Sequence, residues 1–186
     1  MYRFQAALPT PLIDMTEDVH IGVGSNLGDR QAYLQFAADR LTQLSDTKLI
    51  STSRVYETDP LGPGGQDAYL NAVYLIRTGQ SPYELLESIR SIEADANRQR
   101  SIHWGPRTLD LDILFFGTQM IQSDDLIIPH PEIVNRWFVL QPLCDIDASL
   151  PHPATGELMH DLVAGLATSG HAIGWMPTTG SNLRPS

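Results

Sequence analysis

The stretch HWGPRTLDLDILFFG, His103 to Gly117, sets two carboxylates, Asp110 and Asp112, inside a run of Leu109, Leu111, Ile113, Leu114, Phe115 and Phe116. A run this apolar, bounded by Gly-Pro on one side and Gly on the other, predicts a buried strand. Burying even one unpaired carboxylate costs several kcal/mol or forces it to take up a proton. On a strand, residues i and i+2 share a face, about 7 Å apart. Asp110 and Asp112 therefore lie together on one side, and Leu109, Leu111 and Ile113 lie on the other. The strand reads as apolar toward a helix layer and acidic toward an open face.

Working outward, VHIGVG (Val19–Gly24) alternates as a strand and passes through the turn SNLGD into a helix. In that helix Tyr33/Leu34, Ala37/Ala38, Leu41 and Leu44 recur at helical spacing. KLISTSRVYET (Lys48–Thr58) reads as a second strand, DPLGPGGQDAY (Asp59–Tyr69) as a long irregular loop, and LNAVYLIRT (Leu70–Thr78) as a third strand. Ser81, Pro82 and Glu84 carry the start signals of a second helix. Beyond the fourth strand, QMIQS reads as its hairpin return. EIVNRWFVLQPLCDI follows as a short helix running to Pro142, and GELMHDLVAGLA (Gly156–Ala167) as a final helix. The order β-α-β-β-α-β predicts an α+β fold: a ferredoxin-like antiparallel sheet with helices packed on one face and added C-terminal helices. Residues 1–17 are read as an N-terminal extension, 18–167 as a single domain with one core, and 168–186 as a polar tail.

Twelve basic against 22 acidic residues give a net charge of −10, which argues against a nucleic-acid surface. No apolar run reaches the length of a membrane span. The only cysteine, Cys144, excludes an intrachain disulfide and a cysteine-based zinc cluster, and fits a reducing cytoplasm. A cytoplasmic monomer is expected. Within this acidic background Arg90, Arg98, Arg100 and Arg107 gather in one short region, a third of the 12 basic residues. That clustering predicts a pocket for a small polyanion.

Taken alone, LDLD fits two solvated aspartates paired with nearby arginines. The arginines shift the reading, because guanidinium forks match phosphate oxygens. Two hard oxygen donors on one strand, with no histidine between them, suit Mg²⁺, which takes its other ligands from water and phosphate. The glycine-rich GVGSNLGD lacks the Lys-Ser/Thr of a phosphate loop and the spacing of a dinucleotide fingerprint, and reads as a tight turn with a helix cap. On their own, His130 reads as a loop residue, and Tyr69 and Asn71 as strand-edge hydrogen bonders.

Four segments in this order, GSNLGD, YETDPLGPGGQDAYLNAV, HWGPRTLDLDILFFG and IPHPEIVNRWFVLQPL, resemble the 6-hydroxymethyl-7,8-dihydropterin pyrophosphokinases of folate biosynthesis. The resemblance runs from about His20 to Leu166. It implies transfer of pyrophosphate from ATP to the hydroxymethyl oxygen of a reduced pterin. It also implies two Mg²⁺ ions held by Asp110 and Asp112, with Arg98 and Arg107 as catalytic arginines. ATP contacts would come from Glu93, Arg98, Arg100, Trp104, Arg107, Ile113, His130 and Arg136. The pterin would meet Thr58, Leu61, Tyr69, Asn71, Trp104, Asp110 and Phe138. The loops Pro60–Gln66 and Arg98–Arg107 would act as lids. Arg90 and His103 depart from the family pattern, which often has glutamine and arginine there. Two other readings stand beside this one. A palm-type nucleotidyltransferase or cyclase also places strand carboxylates on such a sheet, and a non-catalytic ATP-sensing module predicts binding without turnover.

Overall fold

The structure is a computed structural model, and it describes residues 16–60, 66–97, 107–168 and 175–176. Strand β1 (Glu17–Ser25) lies at the centre of the sheet, antiparallel to β5 (Asp110–Phe116) on one side and to β4 (Tyr69–Thr78) on the other. The far edge of β4 pairs with β2 (Thr47–Thr52) and then β3 (Tyr56–Thr58). Counting β2 and β3 as one broken strand, the spatial order is fourth, first, third, second, the ferredoxin-like arrangement expected from the sequence.

Helices α1 (Arg30–Thr42) and α2 (Pro82–Asp95) cover one face. Asp29 caps α1 by accepting from the Ala32 N–H, and Ser81 with Glu84 forms the full capping box of α2. Between these helices and the sheet lies the main core, with Ile21, Leu34, Tyr74, Ile89, Leu109 and Leu111 all buried. Burying side chains of this size stabilises the fold by about 1.5–3 kcal/mol each.

The other face is not left open. Helix α3 (Trp137–Ile146) and helix α4 (Met159–Thr168) pack across it, making a second cluster of Val73, Leu114, Phe115, Ile133, Leu140, Leu143 and Met159. The single core expected from the sequence is thus two cores, one on each side of the sheet. The uncovered end of the second face is where the site lies.

Four further elements depart from expectation. The long second strand breaks at Ser53–Val55, one residue more than the facing β4 segment can pair. Ser53 bridges the break by donating its N–H to the Val73 carbonyl (2.9 Å) and accepting from the Val73 N–H through Oγ (2.9 Å). The segment after Gly117 does not return along β5; β6 (Ile121–Gln122) pairs with β7 (Ile127–Ile128) in a separate hairpin. Helix α3 continues through Pro142 to Ile146, because Pro142 is buried with Leu140 and Leu143, and that packing offsets the lost backbone bond. In the expected tail, α4 runs on to Thr168, and β8 (Trp175–Met176) pairs with β3.

Candidate active site

A cleft of about 470 Å³ opens where β1, β4 and β5 meet the loop before α3. Its floor follows from the sheet register. Gly24 lies between Asn71 on β4 and Asp110 on β5, and Gly22 lies between Val73 and Asp112. The Asn71–Gly24–Asp110 row therefore spans two strand spacings, about 10 Å. A Cβ at Gly24 would stand 3.3 Å from Asn71 Oδ1, 3.9 Å from Asp110 Cβ and 4.0 Å from the Tyr69 ring. Three of the expected site side chains thus converge on space that glycine leaves free.

The expected alternation of β5 holds for its first half. Leu109, Leu111 and Ile113 enter the helix-side core, while Asp110 and Asp112 line the cleft, each only partly exposed. A β-bulge then inserts one extra residue between the positions facing Ile21 and His20. Past it, Leu114 and Phe115 both belong to the second core and Phe116 returns to the first.

Arg107 pairs with Asp110. Burial works against the guanidinium charge, but Asp110, Tyr69 and Asp112 outweigh it and hold the Arg107 pKa above its ordinary value. The backbone of Arg107 is fixed independently. Its N–H donates to Asn26 Oδ1 (2.7 Å) and its carbonyl accepts from the Asn26 N–H (3.1 Å). Asn26 also donates through Nδ2 to Gln66 Oε1 (3.3 Å) and to the Asp67 carbonyl (3.4 Å). One buried asparagine therefore ties together the starts of two strands. Sequence reading treated it as part of a turn. The signal was an amide placed directly between a glycine strand and the Gly-Asp cap.

Asn71 is buried, and its Nδ2 donates to Thr58 Oγ1 (2.8 Å), which fixes the amide plane. Across the cleft stand Arg136 and Phe138, with the guanidinium carbon 5.9 Å from the Phe138 ring centroid. His130 is pinned by its N–H to the Leu114 carbonyl at the bulge (3.0 Å), and its Nδ1 accepts from the Glu132 N–H (3.2 Å). A neutral His130 therefore carries its ring proton on Nε2.

Of the expected site residues, Thr58, Tyr69, Asn71, Arg107, Asp110, Asp112, His130, Arg136 and Phe138 all line this one cleft. Glu93 and Ile113 do not. Both are buried on the helix side, and Glu93 Oε1 accepts the Leu111 N–H (2.8 Å). That bond shows Leu111 facing its amide away from β1, so Ile113, two residues on, turns its own backbone groups the same way. A ligand would meet Ile113 through the main chain and not through its side chain. Leu61, Arg98, Arg100 and Trp104 lie outside the described residues, as does His103. Arg90 is ion-paired with Glu87 on α2 (2.8 Å).

Two carboxylates and a guanidinium thus share one cleft of this sheet with an oriented amide. Residues 20–148 match the family described as 7,8-dihydro-6-hydroxymethylpterin-pyrophosphokinase. The 2-amino-4-hydroxy-6-hydroxymethyldihydropteridine pyrophosphokinase of Bacillus subtilis is 43% identical over 141 residues, which is 76% of this chain and 84% of that protein. Its namesake in Pseudomonas aeruginosa is 38% identical over 156 residues, 84% of this chain and 96% of the relative. The chain belongs to the 7,8-dihydro-6-hydroxymethylpterin-pyrophosphokinase family. Members of this family transfer pyrophosphate from ATP to hydroxymethyldihydropterin in folate biosynthesis. The solved wild-type Plasmodium falciparum HPPK-DHPS with pteroate shares the fold, with a TM-score of 0.66 at 16% identity over 85% of this chain. This chain spans 44% of that longer protein. No helix among the described residues is long and apolar enough to cross a membrane.

Proposed function

We propose that this cleft moves pyrophosphate from ATP to the hydroxymethyl oxygen of 6-hydroxymethyl-7,8-dihydropterin and releases AMP. The observation that carries the reading is the Asn71–Gly24–Asp110 row. A flat heterocycle hydrogen-bonded to Asn71 and sandwiched by Tyr69 and Phe138 would lie over the glycine floor. Its substituent would then extend toward the carboxylates and Arg107. Flat rings recognise such a heterocycle by stacking, and the fixed amide reads its edge.

The donor set fits Mg²⁺. Among the described residues no third histidine, cysteine or carboxylate completes a closed metal cage beside Asp110 and Asp112. Two hard oxygen donors with open positions suit a cation that draws its remaining ligands from triphosphate and water. Two Mg²⁺ ions held by this pair would supply charge neutralisation and alignment of the attacking and leaving oxygens. The chain's own residues do the rest. Arg107 exchanges Asp110 for a phosphate oxygen while its backbone stays anchored on Asn26. His130 offers an Nε2 donor to the phosphates, and Arg136 a guanidinium. Arg98, Arg100 and Trp104 would complete the nucleotide side, with Leu61 on the pterin side. Such transfer depends on positioning and charge stabilisation, with no protein nucleophile. The lone Cys144 accords with a cytoplasmic enzyme.

Mixing the protein with MgATP and the hydroxymethyl pterin should yield AMP and pterin diphosphate in equal amounts by chromatography. ADP as product, or no product that depends on pterin, would overturn the assignment. Asn71→Ala, which leaves the ligand's polar edge without a partner, and Phe138→Ala, which removes one stacking face, should each weaken pterin binding about tenfold or more. An ATP analogue should bind both variants almost as well as the parent. Calorimetry showing equal loss of both ligands would remove the slot from this end of the cleft.

A further inference from the structure

Behind the cleft, Asp145 on α3 gathers four donors from β3 and the residues leading into it. Arg54 donates from Nη2 to Oδ1 (2.6 Å), from Nε to Oδ2 (3.1 Å) and from its backbone N–H to Oδ2 (3.3 Å), and the Tyr56 hydroxyl donates to Oδ2 at 2.7 Å. The Asp145 side chain is only 10% exposed. The Arg54 guanidinium lies 5.5 Å from the centre of the Tyr56 ring, and Trp137 meets that ring edge-on at 5.4 Å. Apart from Arg54, which leads into β3, each group in this clasp stands one or two residues from a cleft residue or on the helix that carries one. Tyr56 is two residues before Thr58 on β3, and Trp137 directly precedes Phe138 on α3. The residues of the clasp do not themselves line the cleft.

We infer that Asp145, with Arg54 and Tyr56, is a positioning residue for the pterin: it sets the width of the slot by fixing the Phe138 wall against the Thr58–Asn71 wall. The inference rests on the reading that the cleft takes a flat heterocycle between Tyr69 and Phe138. The physical argument is one of lever and lock. Helix α3 carries both Asp145 and Phe138, and the burial of Leu140, Pro142 and Leu143 holds the turns between them, so a bidentate pair near its C-terminal end helps to fix the direction in which its first turn presents Phe138. Arginine suits the task because its planar fork permits one geometry, where lysine would permit many. With Gln141 Nε2 also on Oδ1 (3.4 Å), the Asp145 carboxylate accepts from five donors, which holds it in one place although the Arg54 side chain is 59% exposed. The slot for a ring about 3.4 Å thick tolerates little error, since displacements near 1 Å cost large factors in rate or binding.

The test uses the full chain with Asp145→Asn, which keeps shape but removes charge, and Tyr56→Phe, which removes one hydroxyl but keeps the ring against Trp137. In the AMP-forming assay Asp145→Asn should raise the pterin KM about tenfold, the equivalent of one charge-assisted hydrogen bond. Tyr56→Phe should raise it by a smaller factor. The kcat at saturating pterin should stay within about twofold of the parent, and the dissociation constant of a non-hydrolysable ATP analogue should change by a smaller factor than the pterin KM, since the clasp includes neither Asp110 nor Asp112 and adjoins only Arg136 of the nucleotide side. Trp137 emission should shift in Asp145→Asn, with Trp104 and Trp175 replaced by phenylalanine in parent and variant alike. An unchanged pterin KM, with only a lower melting temperature, would mean that the clasp serves stability alone and would overturn the inference. Parallel loss of pterin and nucleotide affinity would overturn it as well. If Asp145→Asn does not fold, Tyr56→Phe decides by the same two criteria. Failure of the proposed function would appear separately, as a parent enzyme that makes no pterin-dependent AMP.

Discussion

Asp110→Ala and Asp112→Ala are each expected to lower turnover about a thousandfold or more, some 4 kcal/mol of barrier, while the protein remains folded. Both side chains lie on the cleft face of β5, so their removal leaves no void in either core. No other described carboxylate, histidine or cysteine joins them in a cluster that could take over metal binding. The two variants should differ in one respect. Asp110→Ala also deprives Arg107 of its partner, whereas Asp112→Ala leaves that pair in place. Asp110→Ala should therefore show a small change in melting temperature and a stronger effect of added salt on ATP-analogue affinity. Single-turnover AMP formation at saturating MgATP, with thermal melts of the same samples, checks both statements. Near-parental turnover in either variant would show that the carboxylate pair is not the metal site.

The second large effect concerns acid stability. His20 lies on β1 facing the second core, edge-on to Phe115 at 5.7 Å, with Nδ1 buried and without a hydrogen-bond partner. Burial pushes its pKa down to about 4 from 6.5, against a weaker opposite pull from Asp18 and Asp147. The unfolded chain therefore binds a proton at His20 below pH 6.5 that the folded chain refuses until about pH 4. Its contribution to stability is fully present above pH 6.5 and is lost as pH falls through that window, amounting to about 3 kcal/mol at the acid end. His152, whose pKa burial also lowers, adds to the slope in the same direction. Asp18, held below its ordinary pKa of 3.8 by Arg77, and Asp147, held there by Ser149, lose their contributions only as pH falls below 3.8. Urea unfolding at a series of pH values should give a slope in the parent that is largely absent in His20→Leu. Equal slopes in the two proteins would place the acid sensitivity elsewhere.

What the sequence made legible followed from periodicity and punctuation. The alternation in LDLDI placed the aspartates opposite Leu109 and Leu111, and Ser81-Pro82 with Glu84 marked the start of α2; both readings needed only local chemistry. What it hid depended on partners distant in the chain. Ser53 looks like an ordinary strand residue until Val73 stands opposite, so the break between β2 and β3 was invisible. Pro142 is a helix stop by local rule and an interior residue in fact, because the packing that overrides the rule comes from the second core. That the side chains of Glu93 and Ile113 face the helices is visible only once α2 packs on β5. Asn26 drew no attention as a single amide, since its role lies in joining Arg107 to Gln66 and Asp67.

The bulge in β5 gives this strand one residue of slack. Straightening it would absorb the deletion of Leu114 without disturbing the partners of Asp110 and Asp112, which pair with Gly24 and Gly22 on the near side of the irregularity. The loss would fall on His130, whose amide is anchored on the Leu114 carbonyl, and on the packing of Leu114 into the second core. A residue inserted between Leu109 and Ile113 meets no such reserve. It turns a carboxylate toward hydrocarbon and an aliphatic side chain toward the cleft, because side chains change face at every step along a strand. Length change along this segment is thus tolerated in one direction only. A paired deletion and insertion, compared for MgATP-analogue binding, should therefore differ far more than two changes of one residue ordinarily do.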